Sequence, residues 1–178
     1  MRKILIIKRG ALGDVLRTTP LLRRLSGSVT WVTGRRALPL LDGNSHIARL
    51  LTPENCREIR HEKFDWVINF DESRPACLLA SAVKAARKTG ALLKNGKLIY
   101  CEKSAPWFDM SLISRLGLRA ADRLKYGSRK TYQHFLFKAC GFRFNGEEYI
   151  LTGTVPETAS RAVAIERRTG SRWPLKHW

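Results

Sequence analysis

The first 22 residues constrain the fold of this chain more than any other stretch. Residues 4–7 are four consecutive aliphatic residues, a run too short for a helix, and they predict a strand buried on both faces. Gly10 and Gly13 then bracket a short loop that lets the backbone come close to a ligand. Asp14 stands where the following helix should begin. This order of strand, tight loop and helix N-terminus predicts a site at the carboxyl end of a strand in an α/β sheet.

Asp14 itself has two interpretations. Asp is a strong N-cap residue, because its carboxylate accepts hydrogen bonds from the free N–H groups of the first helical turn. Asp14 is also the only acid among the first 36 residues, which carry nine Lys and Arg. A carboxylate in such a basic field should stay ionised and can accept a proton. The tight glycine loop, which capping does not need, favours this second, chemical interpretation.

The net charge of the chain restricts its partners. Its 178 residues hold 33 Lys and Arg against 15 Asp and Glu, which gives +18. Such an excess favours a polyanionic partner: nucleic acid, an anionic membrane surface or a phosphorylated glycolipid. The sequence shows neither an apolar run of transmembrane length nor the apolar region of a signal peptide, so we expect a cytoplasmic protein.

Metal-ligating residues show no pattern. The four His and four Cys are dispersed, without a Cys-x-x-Cys pair or ligand spacing. We therefore expect no metal and no cofactor.

The rest of the chain alternates predicted strands and helices. A strand at 29–33 ends beside Arg35 and Arg36, which should reach the same sheet edge as Asp14. Asp71 and Arg74 follow another strand and are candidate site residues, with helix capping and surface charge as the favoured interpretation. The order predicts a doubly wound parallel sheet of the α/β class. The remaining predicted strands are 48–51, 64–70, 91–93, 98–100 and 149–151, and the helices are 37–41, 76–88 and 131–140, with stop signals at Gly90 and Gly141.

Residues 104–130 predict an amphipathic, basic helix. Leucines and alanine recur at helical spacing, and arginines repeat every four residues beside them. Such a helix can lie on an anionic membrane or grip the phosphates of a lipid-linked sugar. An ordinary surface helix with its leucines in the core fits the pattern equally well. The apolar positions are Leu112, Leu116, Ala120 and Leu124, and the basic ones are Arg115, Arg119 and Arg123.

Positions 4–25 closely resemble the opening of family 9 glycosyltransferases, the ADP-heptose:lipopolysaccharide heptosyltransferases. The resemblance rests on Gly13-Asp14-Val15, followed by Thr19-Pro20 and a leucine-rich helix that Pro20 should kink. It implies the Rossmann-like, acceptor-side N-terminal domain of a GT-B glycosyltransferase, with Asp14 as the catalytic base. The residues expected on the acceptor side are Gly10, Leu12, Gly13, Arg17, Arg35, Arg36, Arg115 and Arg119.

The end of the chain resembles the start of the family's second domain. We expect the acceptor-side domain at 1–155, and a linker with the first strand and loop of a donor-binding domain at 156–178. The resemblance implies that Ser171 and Lys176 contact the donor diphosphate, although Arg167-Arg168 stands where the family usually has Pro-Gly. Because the chain stops there, we expect a truncated half that is inactive by itself.

The reaction that the resemblance implies is direct displacement. Asp14 would take a proton from a hydroxyl of the lipopolysaccharide inner core, whose oxygen attacks ADP-heptose with inversion. The basic surface would meet this anionic glycolipid peripherally at the inner membrane.

Two other classes of protein share features with this sequence. A dinucleotide-dependent oxidoreductase is set aside, because the chain has no Gly-x-Gly-x-x-Gly after the first strand. A basic domain that binds nucleic acid without catalysis remains the alternative, since it too would explain +18. No recognised module fits it, and the aromatic residues are not interleaved with the arginines.

Overall fold

A computed structural model describes residues 1–152. The predicted start of a donor-binding domain at 156–178, with Ser171 and Lys176, lies outside the described residues.

The described chain is built on one six-stranded sheet with the order β3-β2-β1-β4-β5-β6. All neighbours are parallel except β6, which pairs antiparallel with β5. The first five strands follow the order of a Rossmann sheet, which confirms the predicted α/β class. The strands are β1 (Lys3–Ile7), β2 (Ser28–Val32), β3 (Arg49–Leu51), β4 (Lys63–Asn69), β5 (Lys84–Lys94) and β6 (Lys97–Tyr100).

Helices cover both faces of this sheet. The central strand β1 shows why: Ile4 and Ile6 belong to one apolar core, and Leu5 and Ile7 belong to the other. All four side chains are fully buried, as expected for a parallel strand with both faces covered. The helices are α1 (Leu12–Thr18), α2 (Leu38–Leu41), α3 (Arg74–Ala82), α4 (Ala105–Phe108), α5 (Leu118–Gly127) and α6 (Tyr132–Cys140).

The kink predicted at Pro20 takes the form of a change of helix type. α1 ends at Thr18, and a 3-10 helix (Thr19–Arg24) follows with Pro20 in its first turn. A proline is tolerated there, because the N–H that it lacks has no partner in a first turn.

The predicted helix at 76–88 is wrong in its second half. α3 ends at Ala82, and residues 84–88 join β5, where they pair with β4. Gly90 therefore does not stop a helix but lies inside β5 with φ +99°, and a Cβ there would come within 1.9 Å of the Asn69 carbonyl oxygen. The alanine-rich sequence favours a helix locally, but pairing with β4 overrides that preference.

The turn between β5 and β6 and the end of α6 match their predictions. Asn95 and Gly96 both have positive φ, which suits the tight turn of a hairpin. Gly141 ends α6 in the left-handed conformation.

The continuous helix predicted at 104–130 is also wrong. It is replaced by α4 and α5, and Gly117, with φ +82°, precedes α5. Arg115 lies outside α5, so the expected ladder of arginines is interrupted. The predicted strand at 149–151 is likewise absent, since the backbone there joins no sheet.

Candidate functional site

A cleft of about 480 Å³ opens at the carboxyl ends of β1 and β4. The chain reverses its direction of winding at this point, because β2 lies on one side of β1 and β4 on the other. Ligands of open α/β sheets bind in the crevice at such a switch point. The cleft is lined by Lys8, Asp14, Arg17, Phe70, Glu72, Trp107, Met110, Ser111, Leu112, Lys125, Ser128, Lys130, Tyr132 and Phe135.

Asp14 lines this cleft and is not the N-cap of α1. Ala11 holds the N-cap position with φ 49°, and Asp14 lies in the first turn of the helix. Its Oδ1 accepts a hydrogen bond from Arg17, and its Oδ2 is 3.4 Å from Nζ of Lys8. The side chain is 22% exposed, so a ligand in the cleft can reach it. The capping interpretation of Asp14 is therefore wrong.

Lys8 is a buried cation that the predicted site did not include. It is the first residue after β1 and is 8% exposed. Its ammonium lies against the Asp14 carboxylate and donates to the Phe70 carbonyl oxygen at 3.2 Å. A buried ammonium needs such partners, because burial strips its hydration. The sequence feature that could have indicated this buried cation is a charged residue directly after a strand that is buried on both faces.

Arg17 and Tyr132 form the wall beside Asp14. The Arg17 guanidinium lies 4.8 Å from the centre of the Tyr132 ring. Thr18 donates to the Asp14 carbonyl oxygen at 2.7 Å, and its hydroxyl is 3.2 Å from the Tyr132 hydroxyl. Burial raises the pKa of Tyr132 well above its usual value, so its hydroxyl stays protonated at neutral pH. The contact between Thr18 and Tyr132 joins α1 to α6, although the two residues are 114 positions apart in the sequence.

Asp71 fixes the loop after β1 from the end of β4. Its Oδ2 accepts the backbone N–H groups of Arg9 at 2.9 Å and Gly10 at 3.2 Å, and its Oδ1 accepts that of Ser73 at 2.9 Å. Burial acts to raise the pKa of Asp71, but the bonds from Ser73 and Arg9 and the charge of Lys8 together lower it. The role of Asp71 is therefore structural, but the favoured interpretation as a helix cap or surface charge is wrong, because Asp71 is 7% exposed and Ser73 holds the N-cap position of α3.

The other loop residues expected on the acceptor side are exposed. Gly10 and Gly13 both face solvent, and Leu12 is 50% exposed. A Cβ on either glycine would meet nothing within 4 Å, and the positive φ of this loop belongs to Ala11 instead. The open side of the loop thus leaves room for a ligand beside Asp14.

Arg35 and Arg36 lie at the predicted sheet edge but do not line the cleft. They begin a short 3-10 helix after β2. The loop that precedes this helix is joined to the loop after β1 by a hydrogen bond from the Gly34 N–H to the Arg9 carbonyl oxygen. Arg35 is 3.7 Å from a carboxylate oxygen of Glu54.

Arg115 and Arg119 also lie away from the cleft lining. Arg115 contacts two carboxylates, with Glu102 at 2.8 Å and Asp109 at 3.3 Å. Arg119 is exposed on α5. Of the arginines expected on the acceptor side, Arg17 alone lines the cleft with Asp14 within the part of the chain described.

The lining of the cleft is basic and aromatic. Its four cations, Lys8, Arg17, Lys125 and Lys130, exceed its two acids, Asp14 and Glu72. Aromatic rings also line the cleft, and Trp107 packs edge-on against Tyr132 with ring centroids 4.7 Å apart. Such a lining suits an anionic ligand with flat apolar faces.

Within residues 1–152 no three His, Cys, Asp or Glu side chains form a group that could hold a metal ion. Over the same residues, none of the helices is both long enough and apolar enough to cross a bilayer.

The fold and the site define an α/β domain with a ligand cleft at the switch point of a Rossmann-like sheet. Similar solved structures include the glycosyl transferase family 9 from Veillonella parvula, with 27% identity and a TM-score of 0.45 over 50% of this chain and 31% of that chain. The E. coli heptosyltransferase WaaC with ADP has 17% identity and a TM-score of 0.40 over 49% and 36%. The same enzyme with ADP-2-deoxy-2-fluoro heptose has 13% identity and a TM-score of 0.46 over 79% and 49%.

These structures come from the family that positions 4–25 resemble. The chain spans about a third to a half of the length of each. No protein-family model and no curated protein matches the chain.

Proposed function

We propose that this chain is the acceptor-side domain of an inverting glycosyltransferase in which Asp14 is the general base. The observation that carries the proposal is the Asp14 carboxylate in the wall of a basic cleft at the switch point of the sheet. Its two cationic neighbours, Lys8 and Arg17, hold it in place. The resemblance of positions 4–25 to family 9 glycosyltransferases supports the same role.

The proposed step is a single displacement. Asp14 takes the proton of an acceptor hydroxyl as that oxygen forms a bond to the anomeric carbon of a nucleotide-sugar. The bond from that carbon to the diphosphate breaks, and the nucleoside diphosphate leaves with the electron pair, so the configuration inverts. A positioned base contributes on the order of a hundred- to ten-thousand-fold to such a step.

The ion pairs of Asp14 leave it able to accept a proton. A carboxylate has about four lone-pair sites, and Lys8 and Arg17 each engage one oxygen. The partly exposed side chain keeps the remaining sites open to the cleft.

The proposed donor is a nucleotide-sugar of the ADP-heptose type. The motif resemblance assigns its diphosphate to Ser171 and Lys176, where a lysine would offset the charge that develops on the leaving group. E. coli heptosyltransferase WaaC has been solved with ADP and with an ADP-sugar analogue. We further propose that residues 1–155 bind the acceptor, and that the chain alone does not transfer the sugar.

The proposed acceptor is the phosphorylated, acidic inner core of lipopolysaccharide. The surplus of cations in the cleft favours an anionic ligand, and its aromatic wall favours sugar rings. Such an acceptor would place the protein on the cytoplasmic side of the inner membrane.

A binding experiment tests the acceptor. Soluble inner-core oligosaccharide and single-stranded RNA are titrated separately into the 178-residue chain and followed by calorimetry. We expect saturable binding of the oligosaccharide, weakened by about ten- to a hundredfold by Arg17→Met, since a charge-assisted hydrogen bond contributes about 1.5–3 kcal/mol. Arg57→Met removes a matched exposed arginine that does not line the cleft and should leave binding unchanged.

The alternative predicts a different result. Tight, salt-sensitive binding of RNA that is indifferent to Arg17→Met, without binding of the oligosaccharide, would contradict the proposal and favour a nucleic-acid-binding domain. Detectable heptosyl transfer by the purified chain would contradict the proposed need for a separate donor-binding domain.

A further inference from the structure

Four leucines form an exposed apolar surface beside the cleft. We name it the leucine surface and define it as Leu112, Leu116, Leu118 and Leu124. Their exposed fractions are 57%, 53%, 55% and 45%. Scattered exposed leucines are ordinary, but these four lie within 13 residues of sequence, Leu116 and Leu124 line one groove, and Leu112 lines the adjoining cleft. Grouped exposed leucines of this kind mark interaction sites.

The helix α5, which carries part of this surface, is weakly buried. Among its ten residues Ala121 is the buried one, whereas the nine-residue α6 buries six. A surface helix of a globular protein normally turns its apolar stripe to the core. The two leucines of α5, Leu118 and Leu124, instead stay about half exposed.

The flanks of the leucine surface are basic. Residues 111–131 contain six Lys and Arg and one acid, Asp122. Arg119, Arg123, Arg129 and Lys130 are exposed. Leucines bordered by cations are the composition of segments that lie in the interface of an anionic membrane.

The leucine surface is continuous with the Asp14 cleft. A groove lined by Leu116, Leu124 and Arg123 is also lined by Ser128, and Ser128 in turn lines the cleft. Leu112 and Lys130 line the cleft as well. A lipid-anchored molecule held against the leucine surface would thus have its head group at the mouth of the cleft.

We propose that the leucine surface docks the protein on an anionic phospholipid bilayer. Its leucines enter the boundary between head groups and acyl chains, and the arginines of α5 meet the lipid phosphates. The proposed acceptor, a glycolipid, supplies the reason for docking, and to that extent the inference rests on the proposed function. The docking itself depends on charge complementarity and exposed leucines alone.

Co-sedimentation with vesicles tests the docking. The full chain is mixed with vesicles of equal parts phosphatidylglycerol and phosphatidylcholine, and with vesicles of phosphatidylcholine alone. Neither preparation contains lipopolysaccharide, so failure to dock is distinguishable from failure to bind the soluble oligosaccharide. We expect sedimentation with the anionic vesicles, reduced at high salt.

Two pairs of substitutions locate the surface. Leu118→Ser with Leu124→Ser should lower partitioning about tenfold, because less apolar area leaves water. Arg119→Glu with Arg123→Glu should lower it at least about twentyfold, since each basic residue near an anionic surface contributes about fivefold. Two variants serve as matched exposed controls: Leu78→Ser on α3, and Lys94→Glu with Lys97→Glu at the facing ends of β5 and β6. Circular dichroism checks that each variant is folded.

Three results would overturn the proposal. The first is equal sedimentation of the wild-type chain with both kinds of vesicle, or with neither. The second is sedimentation that the controls reduce as much as the variants do. The third is a dimer in sedimentation velocity that Leu118→Ser with Leu124→Ser dissociates, since the leucine surface would then bind a second copy of the chain.

Discussion

The loop after β1 and the leucine surface differ in how their side chains are partnered. In the loop, Lys8 and Asp71 bind groups that are 62 residues away in sequence. Around the leucine surface, Leu118 and Leu124 face solvent on a helix with one buried residue. The contrast teaches that the sheet itself fixes the geometry of the Asp14 site. By contrast, the packing of the core does not require leucines at positions 118 and 124.

The largest effect is expected at Asp14. Asp14→Asn keeps the side-chain shape but removes the base, so transfer by a chain that includes a donor-binding domain should fall about a hundred- to ten-thousand-fold. Binding of the anionic oligosaccharide should persist, because the cleft loses a negative charge. Steady-state kinetics and calorimetry measure the two quantities.

Asp42→Asn is the matched control, since Asp42 is exposed and does not line the cleft. If Asp14→Asn retained full transfer, Asp14 would only hold Lys8 and Arg17 in place.

The next effect concerns stability and tests how firmly the loop is held. In the wild type, the two carboxylate oxygens of Asp71 accept three backbone N–H groups. Asp71→Asn keeps one of these oxygens and replaces the other with an NH₂ group, which cannot accept a hydrogen bond. Unsatisfied buried donors should lower the free energy of unfolding by about 2–4 kcal/mol, measured by urea denaturation. A loss as small as that of Asp42→Asn would show that the loop does not depend on Asp71.

The stability contributed by Asp71 should depend on pH. Because the fold lowers the pKa of Asp71 below its ordinary 3.8, the carboxylate stabilises the fold above that pH. This contribution is lost as the pH falls through the lowered pKa. The difference in unfolding free energy between wild type and Asp71→Asn should be constant near neutral pH and shrink below 3.8. A difference that grew with acid would mean that the sign of the pKa shift is wrong.

The smallest effect is expected on the leucine surface. Leu124→Ala removes an exposed side chain and should change the free energy of unfolding by less than about 0.5 kcal/mol. Leu136→Ala removes a buried leucine from α6 and should cost about 2–5 kcal/mol. Urea denaturation of both variants compares the two helices directly, and similar losses would contradict the exposed position of Leu124.

The sequence was most informative where local pattern and tertiary structure agree. β1, β2 and β4 are rich in β-branched and aromatic residues, so these strands were predictable. The turn at Asn95-Gly96 was predictable because this pair is a strong turn signal. Residues 84–88 were not, because pairing with β4, rather than their own preference, makes them a strand.

The position of Asp14 at the edge of the sheet could be predicted, but the residues around it only in part. Arg17 is one helical turn away, whereas Lys8 is placed by the burial of β1 and Tyr132 approaches from residues more than a hundred positions later. Periodicity carries no information about such contacts. The same limit explains residues 104–130, whose helical spacing gave no sign that residues 109–117, between α4 and α5, form turns.

The edge-on contact between Trp107 and Tyr132 has a practical consequence. The indole lines the same cleft as Asp14, and a molecule entering there would change the polarity around it. The protein thus carries an intrinsic fluorophore in the lining of this cleft. The difference between the emission of the wild-type chain and that of Trp107→Phe would report occupancy without any attached dye.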